Sequence, residues 1–149
     1  MKAVIQRVRE AEVTVKGKPT GNIAKGILIF LCVEKNDTRV EADFLADKIL
    51  NLRILGDNQE KMNLSVKDTK GELLVISQFT LSGDCSKGRR PSFDKAAEPK
   101  EAEEIYEYFI NKLKESNLKV ESGIFRAMMD VHLVNDGPAT FILETKNKE

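Results

Sequence analysis

Apolar runs of strand length follow one another along most of this chain, separated by short polar breaks. Residues 3–15 alternate imperfectly between apolar and polar side chains, which predicts a strand. Residues 27–33 and 72–81 are almost continuously apolar, a pattern that predicts strands covered on both faces. Two further apolar runs lie at residues 131–134 and 139–143. Short strands are also predicted at residues 63–66 and 119–124, and turns at residues 17–21 and 67–71.

The last two apolar runs are separated by a four-residue break, Asn-Asp-Gly-Pro at residues 135–138. Asn and Asp close local hydrogen bonds, Gly accepts a positive φ, and Pro fixes its own φ, so the break predicts a tight hairpin turn. Gly137 and Pro138 also present two adjacent main-chain carbonyls with few steric neighbours. If both carbonyls point into a pocket, they form a rigid pair of hydrogen-bond acceptors.

Two segments have helical periodicity. Thr38 and Glu41 form a capping box at the start of the first helix, and Pro99 suits the first position of the second. The predicted buried face of the first helix consists of Val40, Phe44, Leu45, Ile49 and Leu52. The predicted buried face of the second consists of Ala102, Ile105, Tyr106, Phe109 and Leu113.

Because strands clearly outnumber helices, the predicted fold class is α+β. We expect mainly antiparallel sheets that form a barrel-like core, with the two amphipathic helices on the outside. At 149 residues, the chain is expected to be a single domain, residues 1–149. A frayed tail is expected at residues 146–149.

Composition excludes several classes of protein. The 24 basic residues equal the 24 acidic ones, which argues against indiscriminate binding to a nucleic-acid backbone. No apolar run approaches the roughly 20 residues that span a bilayer, and Arg7 interrupts any signal-peptide core. Cys32 and Cys85 are far apart, which indicates a reducing compartment, hence the cytoplasm, and no metal cluster.

The obvious side chains for covalent catalysis are few. The single histidine, His132, lies between Val131 and Leu133, so strand alternation directs it away from their face. A Ser-His-Asp triad would depend on that residue alone. Cys85 lies in a polar loop, where an inert cysteine is the commoner case.

Two neighbouring segments remain as candidates. At the end of the run at residues 72–81, Thr80 could be a nucleophile, but that role needs an adjacent base, and none is apparent. Main-chain N–H groups of the same segment could instead bind an oxyanion. The next loop is either solvated or a phosphate-binding loop, and it carries Lys87, Arg89, Arg90, Phe93 and Lys95.

Taken together, these segments resemble the D-aminoacyl-tRNA deacylases over nearly the whole chain. Ser-Gln-Phe-Thr-Leu at residues 77–81 matches one motif of that family, and Asn-Asp-Gly-Pro-Ala-Thr at residues 135–140 matches the other. Two motifs in the right order and at the right separation make the resemblance specific. The segments at residues 3–8, 61–64 and 88–93 are also similar to the family.

The resemblance implies a carboxylic ester hydrolase that cleaves D-aminoacyl-tRNA into free D-amino acid and tRNA. It also implies removal of glycine wrongly attached to alanine tRNA, and rejection of L-aminoacyl-tRNA. The family acts as a homodimer with active sites at the subunit interface, where each subunit's Gly-cisPro motif enters the other's pocket. The implied partner is the 3′ end of aminoacyl-tRNA, without a membrane, a cofactor or a metal.

The resemblance also implies which residues form the site. The catalytic segment would consist of Ser77, Gln78, Phe79 and Thr80, the last two through their amides. The substrate-binding residues would be Arg7, Ala102, Met129, Gly137 and Pro138. Arg7 would hold the Gly-Pro segment, and Ala102 and Met129 would lie near the terminal adenosine. The 2′-hydroxyl of the tRNA would assist the attacking water, and Thr80 would position rather than attack.

This chain departs from the family at Ala139, where a bulkier Val or Phe is common. Two other hypotheses stay open at this point. One is a module that binds the tRNA end without catalysis, and the other is a hydrolase of small esters with Thr80 as its nucleophile.

Overall fold

The longest pairing in this computed structural model, which describes residues 1–145, is made by β1 (Lys2–Val15). Three strands pair with β1, all of them antiparallel. They are β2 (Lys18–Ile23), β3 (Gly26–Cys32) and β8 (Asp130–Glu144). The expected frayed tail at residues 146–149 lies outside the described residues.

The other half of the sheet is parallel. β6 (Glu72–Ser77) pairs with β3, and β7 (Val120–Ser122) pairs with β6, both in parallel. β2 also lies against β6 and β7, so the sheet is nearly closed. The α+β class and the barrel-like sheet are therefore confirmed, but the sheet is mixed rather than mainly antiparallel. Parallel neighbours need long crossover connections, and the helical segments between these strands provide them.

The helices lie outside the sheet, as expected, although residues 1–145 contain three of them rather than two. They are α1 (Arg39–Asn51), α2 (Val66–Thr69) and α3 (Pro99–Lys114). The capping box of Thr38 and Glu41 is present, and Pro99 opens α3, both as predicted. Ser65 caps α2, which replaces the predicted turn at residues 67–71. A two-stranded ribbon of β4 (Leu55–Gly56) and β5 (Met62–Leu64) precedes α2.

The prediction for the buried face of α1 was partly wrong. Val40 is 70% exposed and Phe44 is 51% exposed. The helix instead buries Ala42, Leu45, Ala46, Ile49 and Leu50. α1 lies close to α3, and its buried alanines, Ala42 and Ala46, belong to the cluster between the helices and the sheet, whereas Val40 and Phe44 stay outside. For α3 the prediction largely holds, because Tyr106, Phe109 and Leu113 are buried, as is Ile110.

The central strands separate two apolar clusters. In β3, Ile27, Ile29 and Leu31 face the cluster under α1 and α3, whereas Leu28 faces a second cluster inside the curved sheet. This alternation confirms that the run at residues 27–33 is covered on both faces. β6 shows the same alternation between the two clusters. Its carboxyl end leads into the site described below.

Two predicted turns differ from the structure. The turn after β1 is confined to Lys16 and Gly17, and β2 already begins at Lys18, within the predicted turn at residues 17–21. More importantly, the break at residues 135–138 is not a hairpin. Both flanking runs belong to one strand, β8, and both pair with β1 in the same direction.

Candidate active site

The first candidate segment begins where β6 ends. β6 stops at Ser77 rather than at residue 81, and Phe79–Ser82 form a single 3-10 turn. The N–H of Gln78 donates to the carbonyl of Leu31 at 2.8 Å, which ties the start of this turn to the end of β3.

Two main-chain amides precede the first hydrogen bond inside this turn. The first internal bond runs from the N–H of Leu81 to the carbonyl of Gln78, at 3.2 Å. The N–H groups of Phe79 and Thr80 precede that bond, and such groups have no partner inside a helical turn. Phe79 and Thr80 are both exposed, so these two donors lie at the surface.

The carbonyl of Phe79 is directed inward by two buried side chains. The hydroxyl of Ser82 donates to it at 2.9 Å, and the thiol of Cys32 donates to it at 3.5 Å. Burial raises the pKa of the Cys32 thiol, which keeps this donor protonated. In a trans peptide the C=O and N–H groups point in opposite directions, so the N–H of Thr80 points outward.

The hydroxyl of Thr80 is not arranged as a nucleophile within one chain. Its partner is the side-chain amide nitrogen of Gln78, which donates to it at 2.6 Å. An amide nitrogen cannot accept the proton that a nucleophilic hydroxyl must lose. This contact instead orients the Thr80 side chain beside the two main-chain donors.

The second candidate segment is a bulge in β8. Gln6 pairs with Thr140 and Val8 pairs with Asn135, so β8 uses three more residues than β1 between these partners. The extra residues contain the Gly137–Pro138 step, whose peptide bond is cis. Gly137 and Pro138 are exposed in the single chain.

Arg7 holds the bulge from β1. Its Nε donates to the carbonyl of Asp136 at 3.0 Å, and its Nη1 donates to the carbonyl of Ile54 at 2.9 Å. The Asp136 carboxylate lies 3.3 Å from Arg7 Nε and 3.3 Å from Arg9 Nη2. The guanidinium therefore connects the bulge, β1 and the segment after α1.

Asn135 and Arg9 contact the bulge, although neither of them was assigned a role in the site from the sequence. The side-chain amide of Asn135 donates to the carbonyl of Arg7 at 3.0 Å and to that of Ala139 at 3.3 Å. It thus joins the two ends of the bulge. Turn chemistry at Asn135 indicated a local hydrogen bond, but the bond across to β1 needs the strand register, which local sequence does not contain. Ala139 is buried beneath the bulge.

The two candidate segments do not meet within one chain. Ser77 pairs with Leu31, and Leu31 pairs with Ala3, whereas the bulge lies at Arg7 on the opposite edge of β1. Four residues of β1 correspond to about 13 Å, and the three strand spacings add about 14 Å across the curved sheet. Gly137 and Pro138 therefore occupy no pocket formed by residues 77–80 of their own chain.

The two residues expected near an adenosine are also not adjacent in this chain. Met129 packs on the cluster inside the sheet, together with Ile76. Ala102 lies in the first turns of α3 and packs on the other cluster. Met129 is thus close to the end of β6, whereas Ala102 belongs to the opposite face of the sheet.

The other candidates stand apart from these segments. His132 is exposed and opposite Glu12, while Val131 and Leu133 pack inward, as the alternation predicted. Cys85 is also exposed. Within residues 1–145, no group of three or more His, Cys, Asp or Glu side chains is arranged to hold a metal ion. Nor does that part of the chain include a helix with the length and apolarity needed to cross a bilayer.

Comparison with known proteins identifies the family of this chain. The profile of the D-Tyr-tRNA(Tyr) deacylase family matches residues 4–144. A D-aminoacyl-tRNA deacylase of Geotalea uraniireducens (strain Rf4) is 63% identical over 150 residues, covering 100% of this chain and 97% of that protein. One of Thermosipho melanesiensis (strain DSM 12029 / CIP 104789 / BI429) is 56% identical over 147 residues, covering 98% of each chain.

Two solved structures have the same fold. One, titled "c-Myc DNA Unwinding Element Binding Protein", has a TM-score of 0.92 at 41% identity and covers 98% of this chain and 99% of its own. The other, titled "Structural Analysis of a probable eukaryotic D-amino acid tRNA deacylase", has a TM-score of 0.82 at 14% identity, which shows the fold alone. It covers 95% of this chain and 97% of its own.

Matches of this extent define a deacylase, an enzyme of the hydrolase class. The chain belongs to the D-Tyr-tRNA(Tyr) deacylase family.

Proposed function

We propose that the protein hydrolyses the ester bond of D-aminoacyl-tRNA, releasing a D-amino acid and free tRNA. The observation that carries this proposal is the pair of amides of Phe79 and Thr80, which precede the first internal bond of their turn and lie within the residues that the family profile matches. Ester hydrolysis passes through a tetrahedral intermediate with a negatively charged oxygen. Two fixed N–H donors can stabilise that charge, and they need no reorganisation at the moment of reaction.

The proposed source of base catalysis is the substrate. Because Thr80 Oγ1 accepts from Gln78 and donates to no base among residues 1–145, the ribose 2′-hydroxyl of the tRNA assists the attacking water. On this proposal Thr80 positions the substrate. Ser77 and Gln78 line the pocket, and Met129 and Ala102 contact the terminal adenosine.

Selection of the D-amino acid is proposed to rest on main-chain atoms. A side-chain pocket discriminates by only about 1–3 kcal/mol per methylene, so it cannot spare every correct L-aminoacyl-tRNA. The carbonyls of Gly137 and Pro138 would instead bind the α-amino group and leave no room for an L side chain. Glycine lacks a side chain, so glycyl-tRNA(Ala) is a second substrate.

In each site, the carbonyls of Gly137 and Pro138 are proposed to come from a second subunit. The bulge is exposed and lies far from residues 77–80 of its own chain, so a C2 homodimer is needed to complete each site. The further proposals are that residues 1–149 are one domain and that the enzyme works in the cytoplasm, where aminoacyl-tRNA is made.

The direct test uses D-tyrosyl-tRNA and L-tyrosyl-tRNA as paired substrates. We expect release of D-tyrosine at least a hundredfold faster than release of L-tyrosine. Equal rates on the two substrates, or no release of either amino acid, would reject the proposal. D-alanyl-tRNA tests whether the enzyme accepts different side chains. It should also be cleaved, because the side chain is not recognised.

Mixed dimers test the cross-subunit site. Thr80→Pro removes one oxyanion donor and should leave little activity, whereas Arg7→Ala frees the bulge and should leave an enzyme that distinguishes D- from L-tyrosyl-tRNA poorly. In a mixed dimer, one site combines the intact Thr80 of one chain with the intact bulge of the other. After refolding an equal mixture, about a quarter of all sites should be intact, so the D-to-L rate ratio should rise above that of the Arg7→Ala parent. A ratio equal to that of this parent would contradict assembly in trans.

A second candidate function is nucleic-acid binding without catalysis. The observation that favours it is an exposed loop that carries Lys87, Arg89 and Arg90. A structure with 41% identity, titled as a DNA-binding protein, points the same way. Retained tRNA binding without loss of the ester would select this function.

A further inference from the structure

The basic loop, residues 85–91, lies next to the site, and the residues that flank it are hydrogen-bonded to each other. At its base, Asp84 and Ser92 exchange two main-chain hydrogen bonds of 2.7 and 2.9 Å. The carboxylate of Asp84 also accepts from the N–H of Ser86 at 2.9 Å. Gly88, near the tip, has a φ of +65°, a backbone conformation that residues with a side chain rarely adopt. The loop therefore has a defined base and a turn at its tip.

The base of the loop is attached to the turn at Phe79–Ser82, which carries the two amide donors. The N–H of Gly83 donates to the carbonyl of Thr80 at 3.0 Å, and the ring of Phe93 lies edge-on to Phe79, with centroids 5.2 Å apart. Gly83 has no room for a side chain, because an added Cβ would lie 3.0 Å from Phe93 and 3.0 Å from the Thr80 carbonyl. The loop and the two amide donors thus form one connected unit.

The charge of the loop is not neutralised by the rest of the described chain. Lys87, Arg89 and Arg90 are exposed, and none of them takes part in the ion pairs formed within residues 1–145. The basic loop contains three cations and no acid, although the whole chain has no net charge. Such a local excess of positive charge attracts a polyanion, and a phosphate backbone is the common one.

We propose that the basic loop binds backbone phosphates of the acceptor strand, next to the nucleotide whose ester is cleaved. This inference rests on the proposed function, and it assigns the loop to the tRNA beyond its terminal adenosine. The tip lies four residues from Asp84, and four residues span at most about 13 Å. Asp84 follows the turn at Phe79–Ser82 by two residues, so the cations lie beside the two amides, where they would meet phosphates next to the reacting nucleotide.

The test compares two substrates that carry the same ester. D-tyrosyl-tRNA has the phosphates, whereas D-tyrosyl-adenosine, esterified at its ribose, has none. For the double variant Arg89→Ala/Arg90→Ala, we expect KM for D-tyrosyl-tRNA to rise about tenfold or more while kcat is kept. Hydrolysis of D-tyrosyl-adenosine should stay unchanged. The slope of log(kcat/KM) against log[salt] should become shallower by about 1.4, because each single-strand phosphate contributes about 0.7.

The matched control is Lys25→Ala/Lys67→Ala. Both lysines are exposed and lie at the opposite end of β3 and β6 from the loop, so this variant removes the same charge without a change in KM. Equal losses on both substrates in the arginine variant would show that the loop only shapes the pocket, and would overturn the proposal. An unchanged KM for the tRNA would overturn it too.

Binding of uncharged tRNA separates this inference from the proposed function. If the wild type cleaves no D-aminoacyl-tRNA, the proposed function fails, but loop-dependent binding of uncharged tRNA still supports the phosphate contact. If uncharged tRNA binds the wild type and the arginine variant equally well, the phosphate contact fails whatever the activity. Competition by duplex DNA as strong as that by tRNA would also overturn the assignment to the acceptor strand.

Discussion

The two motif segments of this protein are held in place by different kinds of bond. The turn at Phe79–Ser82 is held mainly by main-chain hydrogen bonds, with Gln78, Leu81 and Gly83 as donors, and the side chains of Ser82 and Cys32 add two bonds to the Phe79 carbonyl. The bulge at Gly137–Pro138 is held by side chains, those of Arg7 and Asn135. Main-chain bonds survive most substitutions, whereas side-chain bonds do not. The turn should therefore tolerate changes that the bulge does not, unless the change removes an N–H itself.

The largest effect should come from Thr80→Pro. Proline is accepted in the first turn of a helix, so this change keeps the internal bonds of the turn and removes the Thr80 hydroxyl and the N–H that precedes the first internal bond. Loss of one oxyanion donor costs about 10²–10³ in kcat. Single-turnover kinetics on D-tyrosyl-tRNA would measure it.

The control at the same position is Thr80→Ala, which keeps the amide and loses the hydroxyl. We expect kcat within about tenfold of the wild type, because no base lies beside that hydroxyl. If the alanine variant were as inactive as the proline variant, Thr80 would be a nucleophile, and the contrast between turn and bulge would disappear.

The next effect should come from Arg7→Ala. The Arg7 side chain is only 13% exposed and donates to two carbonyls, one in the bulge and one in the segment after α1, besides its ion pair with Asp136. Hydrogen bonds to charged groups contribute about 1.5–3 kcal/mol, so we expect unfolding to become easier by about 3 kcal/mol. Urea denaturation measures this loss, and the rate ratio of D- to L-tyrosyl-tRNA should fall in parallel. A normal ratio in the folded variant would mean that the bulge needs no such support.

A smaller effect is expected for Asn135→Ala. The lost amide joins the carbonyls of Arg7 and Ala139 from an exposed position, so we expect about 1 kcal/mol of destabilisation. The D-to-L rate ratio should fall less than in the Arg7 variant. Asn135→Asp is the informative companion, because a carboxylate has the same shape but cannot donate to either carbonyl. Recovery of stability by Asp would show that the two hydrogen bonds are not what matters.

The smallest effect should come from Arg9→Ala. The Arg9 side chain is 62% exposed, and its only described contact is with the Asp136 carboxylate, at 3.3 Å. Surface ion pairs contribute about 0–1 kcal/mol and are screened by salt. Chemical denaturation in low and in 0.5 M salt should show a difference from the wild type only at low salt. A loss as large as that for Arg7 would place the main support of the bulge at Arg9.

The sequence predicts this fold well where local signals are decisive. The capping box at Thr38, proline at position 99 and the apolar runs of β3 and β6 all led to the right elements. Each of these signals depends on residues within a few positions of one another. The parallel pairing of β3 with β6 was missed, because it depends on how a crossover of some 40 residues packs.

The bulge is the clearest case in which the local sequence does not determine the structure. Asn-Asp-Gly-Pro has the composition of a chain reversal, yet both of its flanks continue along β1. Whether such a break reverses the chain or bulges from it depends on the partner strand. Likewise, the exposed side of α1 depends on which face packs against α3 and the cluster beneath, and that face includes two alanines. The amides of Phe79 and Thr80 could be named only through the family resemblance, since an N–H leaves no mark in sequence.

β1 carries Arg7 and also pairs with three other strands. The element that supports the proposed chiral selection is thus part of the most extensively bonded strand, and not of a peripheral loop that can open independently. Warming the enzyme should therefore not produce a folded but indiscriminate catalyst. Stereochemical fidelity and the cooperative melting of the sheet should end at the same temperature.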